Sequence, residues 1–356
     1  MKKSYGIPYV GNKQKIAKEI LEQLPPGNRL VDLFGGGGSI THYAMVNYPH
    51  KWKEFMYNDI NPLITTLFKE SITGKYDLST FKPQWVSRDE FFKKKDEDGY
   101  IKYIWSHGND GESYLYGEDI EEFKRNAHNF IVFGDSESLK YLENHYSNSY
   151  HWFIKQIYTG NLPHDRLNWR KLAIKLEAIR VCVDYGDRQV YDEYKDYTFQ
   201  QFMKLPQVEL CRTIDNYIPT IPKKNWNRSG LDSLKNFERM ESLQHLERLE
   251  QLHNLKQQKK HNQTTLTPVD TPKLTITNKD YHKYQYQQGD IVYCDIPYQN
   301  TLHDYGGFNH EKFYKWAYSQ PYPIYISEYT PGEVIWTRQR RAMKNKYSHE
   351  TLQKIN

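Results

Sequence analysis

Two short stretches of this sequence carry residue types whose spacing suits work on an amino-bearing ring held beside a nucleoside. The first is Gly35-Gly36-Gly37-Gly38-Ser39, which follows the apolar run at 29–34, with Asp59 little more than twenty residues further on. Glycines remove the Cβ atoms that keep a backbone away from a ligand, and an acid ending the next strand can accept from two ribose hydroxyls. A phosphate-cradling P-loop is excluded, because no Lys-Ser or Lys-Thr follows the glycines. A dinucleotide fingerprint fits imperfectly, since Ile40 stands where its third glycine belongs. The second stretch is Asp295-Ile296-Pro297-Tyr298, just past the apolar run at 291–294. Here a carboxylate and the Ile296 carbonyl can each accept one hydrogen of an amino group while the Tyr298 ring stacks on the base. Cys294 precedes the acid at a strand end, which suits a small buried residue better than a nucleophile.

Positioning these groups takes a particular order of elements. Ile16, Ile20, Leu21 and Leu24 share one face of a helix over 13–24, stopped by Pro25-Pro26-Gly27. A strand at 29–34, the glycines, a helix at 41–47, a strand at 55–57 and a helix after Pro62 follow, the opening of an α/β doubly wound domain. Further core strands are expected at 274–277, 291–294 and 324–327. The sheet is thus split between 1–72 and 272–356. The 73–271 stretch is too long for one crossover and reads as a mainly helical insertion. Within it, Leu231, Leu234, Phe237, Met240, Leu243, Leu246, Leu249, Leu252 and Leu255 recur every third residue. Such a stripe slips by about 60° per step around an α-helix, so a helix contacted from changing directions or a solenoid-like coil would accommodate 231–255.

Composition narrows the class further. Among 356 residues, 49 Lys and Arg oppose 44 Asp and Glu, a net charge of +5 that fits a polyanionic partner without requiring one. Aromatics make up 15% of the chain, far from a disordered composition. No apolar run approaches the 18 or so residues of a membrane span. Cys182, Cys211 and Cys294 are isolated, which points to a reducing compartment and no metal site. The first six residues lack an apolar signal region, so a cytoplasmic location is expected.

Taken in order, Pro8-Tyr9-Val10-Gly11-Asn12-Lys13, Asp32-Leu33-Phe34-Gly35-Gly36-Gly37-Gly38-Ser39, Asn58-Asp59-Ile60-Asn61 and Asp295-Ile296-Pro297-Tyr298 resemble the motifs of Dam-type DNA adenine-N6 methyltransferases, particularly phage-borne ones. The resemblance covers about 1–70 and 272–330. It implies a Rossmann-like core that binds S-adenosyl-L-methionine, with an inserted target-recognition region and double-stranded DNA as partner. Tyr9, Gly11, Lys13, Asp32, Phe34, Gly35, Gly37 and Ser39 would line the cofactor site, Asp59 would take the ribose, and Asp280 would lie near cofactor or flipped base. Asp295, Ile296, Pro297 and Tyr298 would form the catalytic motif, in which the family usually has a proline at the position of Ile296. The carbonyl that acts there survives the change; the rigidity of the loop does not.

Phosphate contacts are expected from Arg88, Lys124 and Arg125, with a base-contacting loop at 105–109, although acids at 96–98 and 118–122 also suit a solvated face. Arg338, Arg340 and Arg341, with Lys344 and Lys346, form a basic tail that suits either phosphate contacts or a C-terminal helix. Transfer to cytosine N4 or to RNA, and a catalytically weak DNA-binding relative, are the competing readings; Asp295 favours adenine.

Overall fold

The computed structural model describes residues 5–77, 79–184, 188–206, 234, 239, 273–298, 307–328, 332–341 and 347–356. The chain divides into two compact units, one comprising 1–76, 94–104 and 241–356, the other 77–93 and 105–240. Apart from Leu234, the three-residue repeat at 231–255 lies outside the described residues.

The first unit is built on seven strands: β1 Gly27–Asp32, β2 Trp52–Asn58, β3 Lys273–Thr277, β4 Asp290–Cys294, β5 Ile324–Ser327, β6 Glu333–Arg341 and β7 Tyr347–Ile355. Their order across the sheet is β3-β2-β1-β4-β5-β7-β6. β1 to β5 run parallel, and β7 enters antiparallel between β5 and β6. This is a Rossmann-like core. Alternation along each strand sends successive side chains to opposite faces. Leu30, Tyr293, Tyr325 and Leu352 join one apolar layer with Ile20, Leu21 and Leu24. Val31, Val292, Cys294, Ile324 and Ile326 join the other, with Phe313 and Ala317. The helices behind these layers are α1 Ala17–Gln23 and α2 Ser39–Asn47 on the first face, and α11 His310–Ser319 on the second.

Two strands depart from the sequence expectation. The basic tail is not a helix: residues 338–341 continue β6, paired residue for residue with β7. The mixed Glu333-Val334-Ile335-Trp336 start hid the strand period, while arginines on an edge strand discourage pairing with other chains. Helix α3 Pro62–Ile72 starts as expected, with Asn61 accepting hydrogen bonds from Leu63 and Ile64 and proline in the first turn. Helix α5 Gly99–Ile104 packs on α3 within this same unit, although it lies in the stretch expected to be inserted. Only glycine fits at its start, because a Cβ on Gly99 would overlap the Leu63 carbonyl.

The second unit is helical among its described residues, chiefly α6 Glu118–Phe133, α7 Ser136–His145 and α8 Leu162–Asp184. Acids at Glu118, Asp119 and Glu121 suit the positive end of α6, and Gly134 closes it in the left-handed region. Shorter helices complete the chain order: α4 Arg88–Lys94, α9 Gln189–Glu193 and α10 Phe199–Lys204. Among the described residues, no helix is long and apolar enough to cross a membrane, and no cluster of His, Cys, Asp and Glu could hold a metal ion.

Candidate active site

The carboxyl ends of β1 and β2 are tied together by short polar links. Gly35 N–H donates to the Asn58 carbonyl at 2.8 Å, and Gly36 N–H donates to Asp59 Oδ2 at 2.7 Å. Tyr57 hydroxyl returns a bond to the Gly36 carbonyl at 2.7 Å. Asp59 Oδ1 also accepts from Asn61 N–H at 2.8 Å. Burial pushes the Asp59 carboxyl up, and these two N–H groups oppose it. Each carboxylate oxygen accepts two hydrogen bonds, so Asp59 keeps capacity for a hydroxyl. Asn58, which sequence reasoning passed over, bonds through both amide atoms to Leu33, Thr277 and Lys279, locking β1, β2 and the exit of β3.

The N-terminal segment lies directly on the glycine loop. Ile7 N–H donates to the Gly37 carbonyl at 2.6 Å, and Lys13 N–H donates to Ser39 Oγ at 3.2 Å. A Cβ on Gly37 would overlap the Ile7 carbonyl, so glycine here serves chain-to-chain approach. Tyr9 packs edge-on to Tyr103 of α5, with centroids 5.2 Å apart, and Tyr103 hydroxyl accepts from Asn61 at 2.8 Å. Tyr103 had no sequence signal, being one tyrosine among 31.

Asp32 ends β1 fully inside the protein. Its Oδ2 accepts from Thr41 hydroxyl at 2.8 Å, whereas Oδ1 has no hydrogen-bond partner among the described residues. Burial pushes its carboxyl up to about 7, against the Thr41 hydrogen bond and helped by Asp295 and Asp59. An orphaned, buried carboxylate oxygen beside a glycine loop is a place for a cation.

Asp295 sits just beyond β4. Lys13 Nζ lies 2.7 Å from its Oδ1 and 4.7 Å from the centroid of the Tyr298 ring. Burial lifts the Asp295 carboxyl to about 6; Lys13 opposes that rise, and Glu350 and Glu328 add to it. Ile296 is buried among Leu33, Phe313 and Ile326. His310 Nε2–H donates to the Pro297 carbonyl at 2.6 Å, and Tyr298 hydroxyl donates to Glu350 Oε2 at 3.1 Å. Cys294 is fully buried and its thiol is pushed up, so it stays a neutral packing group.

With this geometry in view, one comparison decides the class of the protein: the family model for D12 class N6 adenine-specific DNA methyltransferases matches residues 9–196. The chain belongs to that family. It methylates adenine N6 in DNA with S-adenosyl-L-methionine as donor. The cytosine-N4 and RNA alternatives give way to adenine and DNA. The matched residues include the glycine loop and Asp59, while Asp295 and its motif lie beyond them.

The residues present fit that cofactor on an observation independent of the family. The open Oδ1 of Asp32 offers an acceptor for an ammonium group, and Asp59 keeps lone pairs for hydroxyls. Phe34 is half-buried against Tyr281, Phe308 and Phe313, at 5.4, 5.7 and 5.6 Å between centroids. Asp280 is placed differently from Asp295. It accepts from His282 N–H and pairs with the His282 ring at 2.8 Å. Burial would raise its carboxyl, but the His282 contacts outweigh burial and hold it below the ordinary range. Asp280 lines a groove of roughly 290 Å³ with Leu33, Asn58 and Lys279, whose walls include neither the glycine loop nor Asp295.

The expected DNA contacts fare unevenly in this methyltransferase. Lys124 is fully buried, with its ammonium 5.9 Å from the Tyr116 ring centroid, so it does not face a phosphate. Arg88 is half-buried and committed within its unit, donating to Glu121 at 3.2 Å and to the Tyr116 carbonyl at 2.8 Å. Arg125 is exposed, 3.9 Å from Glu122. Arg338 is exposed but reaches Glu19 at 2.6 Å. The side chains of Arg340 and Arg341, with Lys344 and Lys346, lie outside the described residues. The stretch around 105–109 forms a tight hairpin: Ser106 bridges Tyr114, and His107 N–H donates to the Ser113 carbonyl at 2.7 Å. On its first strand side, His107 and Gly108 are exposed.

Asp32 also makes a stability prediction. Its carboxyl is raised, so the ionised form is disfavoured in the folded chain. The resulting destabilisation is absent below about pH 4, grows as pH rises and is complete above about pH 7. Without cofactor, Asp32→Asn is expected to melt a few degrees higher than the natural chain at pH 8, with the difference vanishing near pH 4. Thermal melts across that range check it, and titration calorimetry at pH 8 should show weakened cofactor binding.

Proposed function

We propose that the chain methylates adenine in double-stranded DNA after turning the base out of the helix, with Asp295, the Ile296 carbonyl and Tyr298 forming the amino-group site. The observation that carries this reading is Lys13. Its backbone N–H bonds Ser39 at the end of the glycine loop, and its ammonium reaches Asp295. One residue thereby holds the cofactor loop against the acid that would receive the amino group. Asp32, Asp59 and the glycines would hold S-adenosyl-L-methionine, with Tyr9, Gly11, Lys13, Phe34 and Ser39 around them.

The cofactor, when bound, supplies an electrophilic methyl group. The chain's own residues do the rest. Asp295 must be ionised to accept an amino hydrogen, and Lys13 favours that ionised form against the cost of burial. With the Ile296 carbonyl accepting the second hydrogen, the nitrogen lone pair points away from both acceptors. Bond formation to the methyl carbon, with the carbon–sulfur bond broken and its electron pair left on sulfur, would make that nitrogen acidic, and Asp295 is placed to take the released proton. Positioning supplies most of the rate in such a step. A base inside a duplex is out of reach, so extrusion precedes transfer at a cost of a few kcal/mol.

Residues 1–72 and 272–356 would form the catalytic core, and 73–271 the target-recognition region. The 105–109 stretch, with His107 and Gly108 exposed, is the candidate base reader and Arg125 a candidate phosphate contact. A cytoplasmic location suits the buried free thiol of Cys294. The test is radiolabelled methyl transfer to unmethylated duplex DNA, single-stranded DNA and RNA, followed by long-read mapping. N6-methyladenine at one sequence in duplex DNA is the expected result; label in RNA, or only in single strands, would overturn the proposal.

A further inference from the structure

We propose that Glu350, on β7, is a positioning residue that holds the Tyr298 ring as the platform for the target base. This inference rests on the reading of Tyr298 as the stacking group.

In the Asp295–Tyr298 stretch only Pro297 has a ring-locked φ; Ile296 does not. A platform four residues past the end of β4 must therefore be fixed by contacts rather than by covalent stiffness. Three contacts serve, each from a different place. Ile296 is buried in the apolar layer under α11. His310, the first residue of α11, donates to the Pro297 carbonyl. Tyr298 itself is reached by Glu350, whose Oε2 accepts the phenol hydrogen at 3.1 Å.

The first two contacts set the backbone, but neither restrains rotation of the Tyr298 ring. Glu350 fixes where that ring points, because pinning the phenol oxygen at the far end of the ring axis limits χ1, while Lys13 against the ring face limits turning about that axis. The carboxylate is itself buried, so the bond is shielded from competing water. A charge-assisted hydrogen bond is also stronger than a neutral one. Lys13 lies over the Tyr298 ring and pairs with Asp295, so ring, acid and ammonium form one connected group. Glu350 anchors that group to β7, which pairs with β5 in the central sheet.

The experiment measures kcat and both KM values for Glu350→Ala, Glu350→Gln, Tyr298→Phe, Tyr298→Ala and the Glu350→Ala/Tyr298→Phe double variant. Glu350→Ala and Tyr298→Phe are each expected to lower kcat about tenfold with the cofactor KM unchanged. The double variant should fall no further than either single one. Glu350→Gln retains an acceptor oxygen and should recover most of the loss. Additive losses in the double variant, or a Gln variant as slow as the Ala variant, would overturn the role. A Glu350→Ala enzyme at natural kcat, beside an inactive Tyr298→Ala, would overturn it while leaving Tyr298 as the platform. An active Tyr298→Ala would instead remove the reading beneath it. Should Glu350→Ala fail to fold, Tyr298→Phe decides alone, since it removes only the hydroxyl; natural kcat there sinks the proposal.

Discussion

Asp295→Asn is expected to lower methyl transfer at pH 8 by about a thousandfold or more, while S-adenosyl-L-methionine binding changes by less than about threefold. The substitution keeps shape and one carbonyl acceptor but removes the charge that, on the proposed reading, would receive the amino hydrogen and the proton. Proton-transfer groups contribute on the order of 10²–10⁴ in rate, and the ion pair with Lys13 is lost as well. The natural enzyme carries a pH signature of the same group. Its carboxyl is raised to about 6 by burial, with Lys13 opposing and Glu350 and Glu328 adding. Below that value Asp295 of the free enzyme is protonated and a poor acceptor, so kcat/KM should rise as pH increases through about 6 and then level off. Stopped-time assays with labelled cofactor from pH 5 to 9 measure this limb, and calorimetry measures binding. A variant that retains more than a tenth of the natural rate would remove Asp295 from the chemistry.

The second large effect is expected at Gly38, where the glycine loop turns into α2. Its φ is +70°, a region that costs other residues about 1–2 kcal/mol. A Cβ there would also overlap the Phe68 ring. Phe68 cannot move aside cheaply: it is fully buried and stacked on Tyr57 with centroids 4.2 Å apart. Tyr57 in turn holds the Gly36 carbonyl, so displacement of Phe68 reaches the loop through one stacked pair. Overpacking adds about 1–3 kcal/mol to the backbone strain. Gly38→Ala should therefore melt well below the natural chain and bind S-adenosyl-L-methionine about a hundredfold more weakly. Calorimetry at a temperature where circular dichroism shows the variant folded separates the two effects. Natural affinity there would show that the loop tolerates the displacement.

The parts legible in the sequence were those whose partners lie close along the chain. The glycine loop, Asp32 with Thr41, and Asp59 with Gly36 and Asn61 all interact within about two dozen residues, so strand–turn–helix punctuation places them. The central strands β4 and β5 announced themselves as apolar runs because they are covered on both faces, whereas the edge strand β3 is only half-buried. The cations were harder. Lys124 looks like a surface charge, yet it shares a face of α6 with Ala127, His128 and Ile131, all buried, and that face turns inward. Arg338 looks free of acids until the fold brings Glu19 to it from the far end of the chain.

By itself, the sequence determined the doubly wound core, because glycine turns and strand-end punctuation act through backbone geometry that local residue types impose, and the order of its four motifs gave the resemblance that implied the reaction class. Only the tertiary structure decided how the motif is supported. Lys13 and Asp295 meet across almost the whole chain, and Glu350 reaches Tyr298 because β7 is laid antiparallel beside β5. A carboxylate's role depends on what is buried next to it, and burial is a property of the packed chain rather than of any segment within it.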